Sequence, residues 1–438
     1  MFTERRRRFL DSMGPGAAAI IQGAGLASRS NDTEYPFRQD SDFHYLTGFD
    51  HPNAVALLRT DGGPEYTLFV EPRDPEMETW NGYRPGTEGA VNDFGAEEAY
   101  PRGEFHDRLP ELLKRADRLF HVLGRDANID SALFEALEQM RRGSRAGAIP
   151  PEEIVDPRRE LHEMRLRKTP EELEILRRGA AITLEAHHEA AKLAHGGNQE
   201  HELEAVLNYT FRRRGAAGAA YGSIVGGGAN ATVLHYVQND QPLKDGELLL
   251  IDAGCELEGY ASDVTRTYPI GGRFSPVQRA VYEIVLEAQL ASIAASQTGA
   301  TLPEVHDASV RILTQGMIDL GLLVGSIDEA VEKETFRRYY MHGTSHWIGL
   351  DVHDAGAYTR DGQPRRLESG MLFSVEPGIY ITADDENAKP EFCGIGIRIE
   401  DDVVITDDGY ENLTEAIPKE PGAVEAWVQE GLAKVESE

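Results

Sequence analysis

The sequence predicts an α/β domain over residues 1–168 and an α+β domain over residues 169–438 that contains an internal duplication. The chain has 438 residues, which is too many for one ordinary hydrophobic core. Short apolar runs alternate with helical segments in the first part, a pattern typical of α/β domains. In the second part, DGELLLIDAG at 245–254 is echoed by ESGMLFSVEPG at 368–378, which indicates a duplicated α+β unit.

The strands of the first domain are predicted from apolar runs that contain β-branched or aromatic residues. These runs lie at residues 17–22, 54–58, 66–71 and 118–123, and helical segments such as FHDRLPELLKRA and DSALFEALEQMRR lie between or after them. The sequence RRGSRAGAIPPEEIVDPRR, residues 141–159, is rich in glycine, proline and charge, so it predicts the end of this domain and a connector.

The second domain is predicted to begin with a helix directly after residue 168. Thr169 is a good N-cap, Pro170 suits the first helical position, and Glu172 completes a capping box. His187 and His188 lie on this helix and are predicted to be at the surface, because no acidic cluster converges on them.

Charge and cysteine content restrict the partners and the compartment. The formal net charge is −31, which argues against nucleic acid and anionic membranes as partners. Cys255 and Cys393 do not make a disulfide framework, so we expect a reducing compartment and a cytoplasmic location. No apolar run in the sequence is long enough to span a bilayer.

The N-terminal sequence RRRRFLDSM resembles a twin-arginine signal only superficially. Asp11, Gly14 and Pro15 interrupt it before an apolar segment forms, so we expect no signal peptide. Arg5–Arg8 are predicted to form a solvated helix face.

Two predicted β-hairpins each carry a pair of acids on apolar strands. In the first, a turn centred on Leu257-Glu258 would place Asp252 directly opposite Asp263. Directly opposed residues have Cβ atoms about 4.5–5.5 Å apart, so the two carboxylates would repel each other unless a proton or a cation lay between them.

The second hairpin folds about the loop DDENAKP. That turn places Glu376 opposite Glu400. Arg398 lies two residues before Glu400 and therefore points to the same face. Arg398 is predicted to act as a cation close to these acids.

Two facing acid pairs with histidines nearby favour bound cations over a single protonated dyad. Carboxylates with one or two imidazoles suit Mn²⁺, Co²⁺ or Zn²⁺, and two such ions about 3.5–4 Å apart form a hydrolytic site. The alternative is that the acids are solvated strand ends. We choose that interpretation for a second group of acids: Glu256, Glu258, Asp401 and Asp402.

Histidines are concentrated in the sequence MHGTSHWIGLDVHD, residues 341–354. His342 and His346 are four residues apart and could ligate one ion from a helix. The intervening Gly-Thr-Ser sequence is a poor helix former, so we predict no helical ligand pair. These residues alone leave open which histidine binds a metal.

The motifs together resemble a known family. Five motifs resemble the catalytic domain of Xaa-Pro aminopeptidases, which form the aminopeptidase P branch of the pita-bread metallopeptidases. These motifs are HYVQND, IDAGCELEGYASDVTRTYPI, MHGTSHWIGLDVHDAG, SVEPGIYI and GIGIRIEDDVVIT. The sequence SRSNDTEYPFRQDSDFHYLTGF, residues 28–49, resembles the N-terminal domain of the same enzymes. The likeness covers nearly the whole chain, and it implies a metal-dependent enzyme that releases the N-terminal residue from peptides with proline in the second position.

The resemblance also implies a set of site residues. The ligands of two divalent ions, typically Mn²⁺, would be Asp252, Asp263, His346, Glu376 and Glu400. A hydroxide that bridges the ions would attack the carbonyl before proline, and Glu376 would also move a proton toward the proline nitrogen. The residues that contact substrate or lie in the cleft would be His235, His342, His353, Tyr380 and Arg398.

The family likeness further implies a homodimer or a homotetramer that acts on peptides. An Xaa-Pro dipeptidase (prolidase) shares the same metal ligands and is the main alternative. Creatinase-like amidinohydrolases share the fold without the metals, and some members of the fold are non-catalytic binding proteins. The complete ligand set argues against both of these.

Overall fold

The computed structural model describes residues 1–146 and 149–435, and it divides into two compact units, Met1–Met164 and Arg165–Glu438. Residues 147 and 148 of the predicted connector lie outside the described residues. The domain limits 1–168 and 169–438 stay a prediction.

The first unit combines a mixed β-sheet with helices, as the alternating sequence pattern predicts. Its strands are β1 (Ala17–Gln22), β2 (Ser28–Ser30), β3 (Thr33–Glu34), β4 (Val55–Arg59), β5 (Tyr66–Val70), β6 (Glu98–Pro101), β7 (Arg118–Phe120) and β8 (Glu153–Val155). The helices in and just after it are α1 (Phe2–Met13), α2 (Ser41–Thr47), α3 (Pro75–Asn81), α4 (Gly86–Asn92), α5 (Phe105–Leu113), α6 (Ala127–Arg142) and α7 (Arg158–Leu166).

The main sheet of this unit has the strand order β6-β5-β4-β1-β7-β8. Strands β1, β4, β5 and β7 overlap the four apolar runs that predicted strands. Strands β6 and β8 were not predicted, because neither contains a fully buried residue and β8 lies within the predicted connector. Pairing with a central strand therefore outweighs the weak local signal of these edge strands.

Arg5 and Arg6 show that the prediction of a solvated face at Arg5–Arg8 is wrong in part. Arg5 is 2% exposed, and its guanidinium lies 4.1 Å from the centre of the Tyr45 ring. Arg6 donates to the carbonyl oxygen of Leu46 at 3.0 Å. A guanidinium can be buried where it stacks on an aromatic ring and its N–H groups find acceptors, so charge alone does not identify a surface position.

The second unit contains several small sheets packed against long helices. Its strands are β9 (Gly218–Ala219), β10 (Ile224–Gly227), β11 (Leu248–Asp252), β12 (Cys255–Leu257), β13 (Tyr260–Ala261), β14 (Thr265–Pro269), β15 (Thr359–Arg360), β16 (Gln363–Pro364), β17 (Leu372–Val375), β18 (Gly378–Ile381), β19 (Ile395–Arg398), β20 (Asp401–Thr406) and β21 (Gly409–Asn412). Its helices are α8 (Pro170–Ala191), α9 (Glu200–Arg213), α10 (Pro276–Ala295), α11 (Leu302–Asp319), α12 (Ile327–Glu332) and α13 (Pro421–Val435). Within residues 1–146 and 149–435, no helix has both the length and the apolar content needed to cross a membrane.

Helix α8 begins at the predicted capping box. The backbone N–H of Glu172 donates to Thr169 Oγ1 at 3.4 Å, and the backbone N–H of Thr169 donates to Glu172 Oε2 at 2.9 Å. These reciprocal bonds satisfy two backbone donors that the helix itself leaves unpaired.

His187 on α8 is fully buried, so its predicted surface position is wrong. Its ring bonds to the carbonyl oxygen of Ala253 at 3.0 Å and to the hydroxyl of Tyr268 at 3.1 Å. Burial lowers the pKa of His187 to about 4, so the imidazole is neutral. It connects α8 to the chain directly after Asp252.

The first acid-bearing hairpin differs from its predicted register by two residues. Asp252 faces Thr265, and the turn falls at Glu258-Gly259, where φ is 52° and 86°. Positive φ at both central residues is typical of a type I′ turn. Because side chains alternate with a period of two, this shift keeps Asp263 on the same face as Asp252.

The second hairpin has the predicted register. Strands β17 and β20 pair Val375 with Asp401, and strands β18 and β19 pair Gly378 with Arg398. Both pairings place Glu376 opposite Glu400 in the short gap between them. The turn-based prediction for this acid pair is confirmed.

Candidate active site

A cavity of about 490 Å³ in the second unit brings the two hairpins and the histidine-rich loop together. Acids and imidazoles from both hairpins and from the loop line one part of it: Asp252, Asp263, His346, Glu376 and Glu400. Further polar residues of the lining are His235, His342, His353 and Arg398. Apolar side chains complete the wall: Ile224, Leu234, Val237 and Val352.

Asp263, His346 and Glu400 each offer a ligand atom within 4.8 Å of the others. His346 Nε2 lies 3.3 Å from Asp263 Oδ2 and 3.5 Å from Glu376 Oε1. The other ring nitrogen, Nδ1, is 3.1 Å from the carbonyl oxygen of Trp347. If Nδ1 carries the proton and donates it to that carbonyl, Nε2 is unprotonated and its lone pair faces the acids. Metal-binding histidines have this arrangement.

The electrostatics of the cluster favour a bound cation. Burial, followed by the charges of Asp263 and Glu376, raises the pKa of Glu400 well above its ordinary value. Burial also raises the pKa of Glu376 to about 7. A divalent ion offsets both the repulsion between carboxylates and their desolvation, and carboxylates with one imidazole are donors that such ions accept. The residues present therefore fit a metal site.

Arg398 is buried beside the acids, and its guanidinium donates to three side chains of the site. It donates to Asp252 Oδ2 at 2.6 Å, to Thr265 Oγ1 at 3.0 Å and to the Tyr380 hydroxyl at 3.0 Å. Thr265 in turn donates to Glu400 Oε2 at 2.6 Å. Arg398 thus fixes the orientation of one acid directly and contacts the partner of another.

The remaining predicted residues surround this cluster at different depths. His342 Nε2 lies 2.7 Å from the Tyr380 hydroxyl. Tyr380 is 1% exposed and is not part of the cavity wall, so it reaches the cavity through His342 and Arg398. The His353 ring packs edge-on against His346 with ring centres 4.2 Å apart, and His235 is an exposed residue of the cavity lining.

Tyr221 belongs to the site but is not among the site residues predicted from the sequence. Its hydroxyl lies 2.6 Å from both Asp252 Oδ1 and Asp263 Oδ1. Burial and the two acids raise the pKa of Tyr221 well above its ordinary value, so the phenol keeps its proton and can donate it. Tyr221 stands before a short strand in a glycine-rich stretch, and no spacing rule connects it to the acids.

Asp401 and Asp402 are fully buried, so their predicted place at solvated strand ends is wrong. Asp401 pairs with Arg266 at 2.6 Å and with Lys419 at 2.6 Å. Asp402 accepts a bond from the backbone N–H of Asp263 at 3.1 Å. Both acids directly follow Glu400 and hold the first residues of β20 in place.

Comparison with known proteins agrees with this geometry. A family model described as metallopeptidase family M24 matches residues 174–407, and the aminopeptidase P N-terminal domain matches residues 2–121. The chain belongs to metallopeptidase family M24. It is 44% identical to the Xaa-Pro aminopeptidase of Escherichia coli strain K12, over 97% of this chain and 96% of that protein.

Solved structures of aminopeptidases are similar to this chain over nearly all of its length. The Pseudomonas aeruginosa aminopeptidase PepP superposes with a TM-score of 0.97 at 44% identity and covers 99% of this chain and 98% of its own. The aminopeptidase P of E. coli with the inhibitor Pro-Leu gives a TM-score of 0.95 at 43% identity, with the same coverage. The predicted fold class, an α/β domain followed by a pita-bread catalytic domain, and the resemblance to aminopeptidase P are confirmed. As an M24 metallopeptidase, the protein is a metal-binding hydrolase.

Proposed function

We propose that this M24 metallopeptidase is an aminopeptidase that releases the N-terminal residue from peptides with proline in the second position. The observation that carries the proposal is that one cavity is lined by Asp252, Asp263, His346, Glu376 and Glu400. The chain that forms it matches metallopeptidase family M24 in its second part and the N-terminal domain of aminopeptidase P in its first. The Xaa-Pro aminopeptidase relatives support the same substrate class.

These same five residues would hold two divalent ions, most favourably Mn²⁺, with Co²⁺ or Zn²⁺ as alternatives. When bound, such ions supply hydroxide near neutral pH and polarise the carbonyl of the scissile bond. Arg398 and Tyr221 hold Asp252 from opposite oxygens, since Arg398 contacts Oδ2 and Tyr221 contacts Oδ1. This arrangement keeps the carboxylate oriented before any ion arrives.

The histidines of the cavity would bind and orient the peptide. His235 and His353 line the cavity and would donate to the substrate near the bond to be broken, and His342 would contact the proline ring. Glu376 is the group that would carry a proton toward the leaving nitrogen. Proline's imide nitrogen has no hydrogen to donate, so recognition depends on the shape of the ring and on neighbouring carbonyls.

Assembly and compartment complete the proposal. The partners are peptide substrates with proline second, and we infer a homodimer or a homotetramer in the cytoplasm. The family resemblance supports the oligomer, and the free state of Cys255 and Cys393 supports a reducing compartment.

Prolidase is the second candidate, and the position of the arginines argues against it. A prolidase must bind the free carboxylate of proline, which calls for a cation such as arginine within the cleft. Arg398 is the arginine among the residues lining the cavity, and its N–H groups already bond to Asp252, Thr265 and Tyr380. Arg360, Arg365 and Arg366 follow the His353 loop but are not part of the described wall.

We therefore expect a longer peptide to be the better substrate. An Xaa-Pro dipeptide and the same pair extended by two residues should be compared by kcat/KM with the Mn²⁺-loaded enzyme. The extended peptide should be preferred at least about tenfold, which corresponds to roughly 1.4 kcal/mol in transition-state binding. A tenfold preference for the dipeptide would identify a prolidase instead.

A further inference from the structure

The loop from Gly349 to Asp354 delivers two side chains, Val352 and His353, to the cavity wall. Within the described residues, the structure shows no hydrogen bond to the His353 ring, which is placed by its edge-on contact with His346. The position of His353 therefore depends mainly on the backbone of the loop. Whatever fixes that backbone also fixes the imidazole.

A buried ion-pair cluster lies directly beside His353. Asp354 accepts from Arg165 at 2.5 Å through Oδ1 and from Lys168 at 2.9 Å through Oδ2. The side chains of Asp354 and Lys168 are each 1% exposed, and that of Arg165 is 4% exposed. Arg165 also contacts Asp351 at 2.7 Å, so it holds the loop at two points.

The loop backbone is packed closely against this cluster. A Cβ atom added at Gly349 would come within 2.0 Å of Asp354 Oδ2 and 3.0 Å of Lys168 Cε. The backbone N–H of Asp354 donates to the carbonyl of Trp347 at 2.8 Å, and that of Lys168 donates to the carbonyl of Gly370 at 2.8 Å. The cluster is thus fixed both to the loop and to the strand region that precedes Glu376.

Charge burial of this kind has a cost that argues for a specific use. Burial raises the pKa of Asp354, but the neighbouring Lys168 and Arg165 lower it by more. The pKa therefore lies below its ordinary value, and the carboxylate stays ionised. Taking three charges out of water is unfavourable, and well-packed apolar side chains often stabilise a protein equally well. Directed ion pairs instead hold one geometry, which a loop that carries a substrate-contacting histidine requires.

We propose that Asp354, held by Lys168 and Arg165, is a positioning residue that sets the place of His353 in the cavity. The inference rests on the proposed function, because it gives His353 a contact with the peptide. A shift of about 1 Å in a positioned group can lower a rate on the order of 100-fold, so the cluster can control activity without touching substrate.

The test is a double-mutant cycle with Asp354→Asn, His353→Ala and the combined variant. We expect Asp354→Asn alone to lower kcat/KM about 10- to 100-fold with metal content unchanged, and to lower it less than about twofold further in the His353→Ala background. Equal losses in both backgrounds, or no loss in either, would overturn the proposal. Glu368→Gln is the matched control. It removes a partly exposed ion pair to Arg167, which stands between Arg165 and Lys168 in the sequence, and it should leave kcat/KM unchanged.

Two further measurements keep the inference separate from the proposed function. A crystal structure of Asp354→Asn should show the His353 ring displaced, whatever substrate the enzyme prefers, and an unmoved ring would contradict the inference. If Asp354→Asn does not fold, Lys168→Met retains the Arg165 pair and provides the same cycle and the same structural comparison. Absence of cleavage of any peptide with proline second by the unaltered enzyme would instead refute the proposed function.

Discussion

Replacing Asp263 with alanine is expected to remove most metal binding and to lower kcat/KM by at least about 10³-fold, or roughly 4 kcal/mol. Asp263 Oδ2 lies 3.3 Å from His346 Nε2, and its Oδ1 lies 2.6 Å from the Tyr221 hydroxyl that also contacts Asp252. It thus lies at the centre of the donor set. A carboxylate shared by two ions supports both of them, so its loss should affect both.

The measurement is metal content per chain after reconstitution with Mn²⁺, read beside kcat/KM. Glu258→Asn is the matched control: it removes an exposed acid from the same hairpin, and asparagine tolerates the positive φ of that position. The unaltered enzyme should lose activity with a chelator and regain it with Mn²⁺ or Co²⁺. An active preparation with no bound metal would contradict the assignment.

The second large effect separates a ligand histidine from substrate-binding histidines. His346→Ala should lower metal occupancy, because Nε2 of His346 faces Asp263 and Glu376. His353→Ala and His235→Ala should leave the metal bound but lower kcat/KM about 10²- to 10³-fold, the size expected for a lost contact to the developing charge.

Metal analysis and kinetics on the same preparations decide between these roles. His201→Ala, an exposed histidine on α9, is the control for the loss of any imidazole. Equal metal loss in the three cavity variants would show that the division into ligand and substrate histidines is wrong. Normal kcat/KM in His353→Ala would remove that residue from the peptide-binding set.

The acids of the site were open to prediction because each one ends an apolar run and is followed closely by glycine or lies on a predictable hairpin. The predicted register of the first hairpin differs from the observed one by two residues, although the sequence contains the signal for the correct turn. Glu258-Gly259 occupies the two positive-φ positions of a type I′ turn, where glycine is strongly favoured. Had the turn been centred there, Asp252 would have been placed opposite Thr265. The predicted acid pair still lies on one face of the hairpin, because a register shift of two residues leaves each side chain on the same face of its strand.

Other features depend on partners far away in sequence, which no local pattern contains. Asp401 looks like a polar strand end, but Arg266 approaches it from 135 positions away and satisfies its charge. His187 looks like one polar residue of a surface helix, but it bonds to a carbonyl directly after β11, 66 residues later in the sequence. Tyr221 joins two acids that lie 31 and 42 residues further along the chain. These contacts arise from tertiary packing alone.

The proposed specificity for proline in the second position is tested by comparing two tetrapeptides that differ only in the second residue, proline in one and alanine in the other. Each is incubated with the Mn²⁺-loaded enzyme, and the products are identified by mass spectrometry while kcat/KM is measured. We expect release of the first residue from the proline peptide, with kcat/KM at least about 100-fold above that for the alanine peptide, a difference of roughly 2.7 kcal/mol. Equal cleavage of both peptides, or cleavage at any bond other than the one before proline, would contradict the proposed specificity.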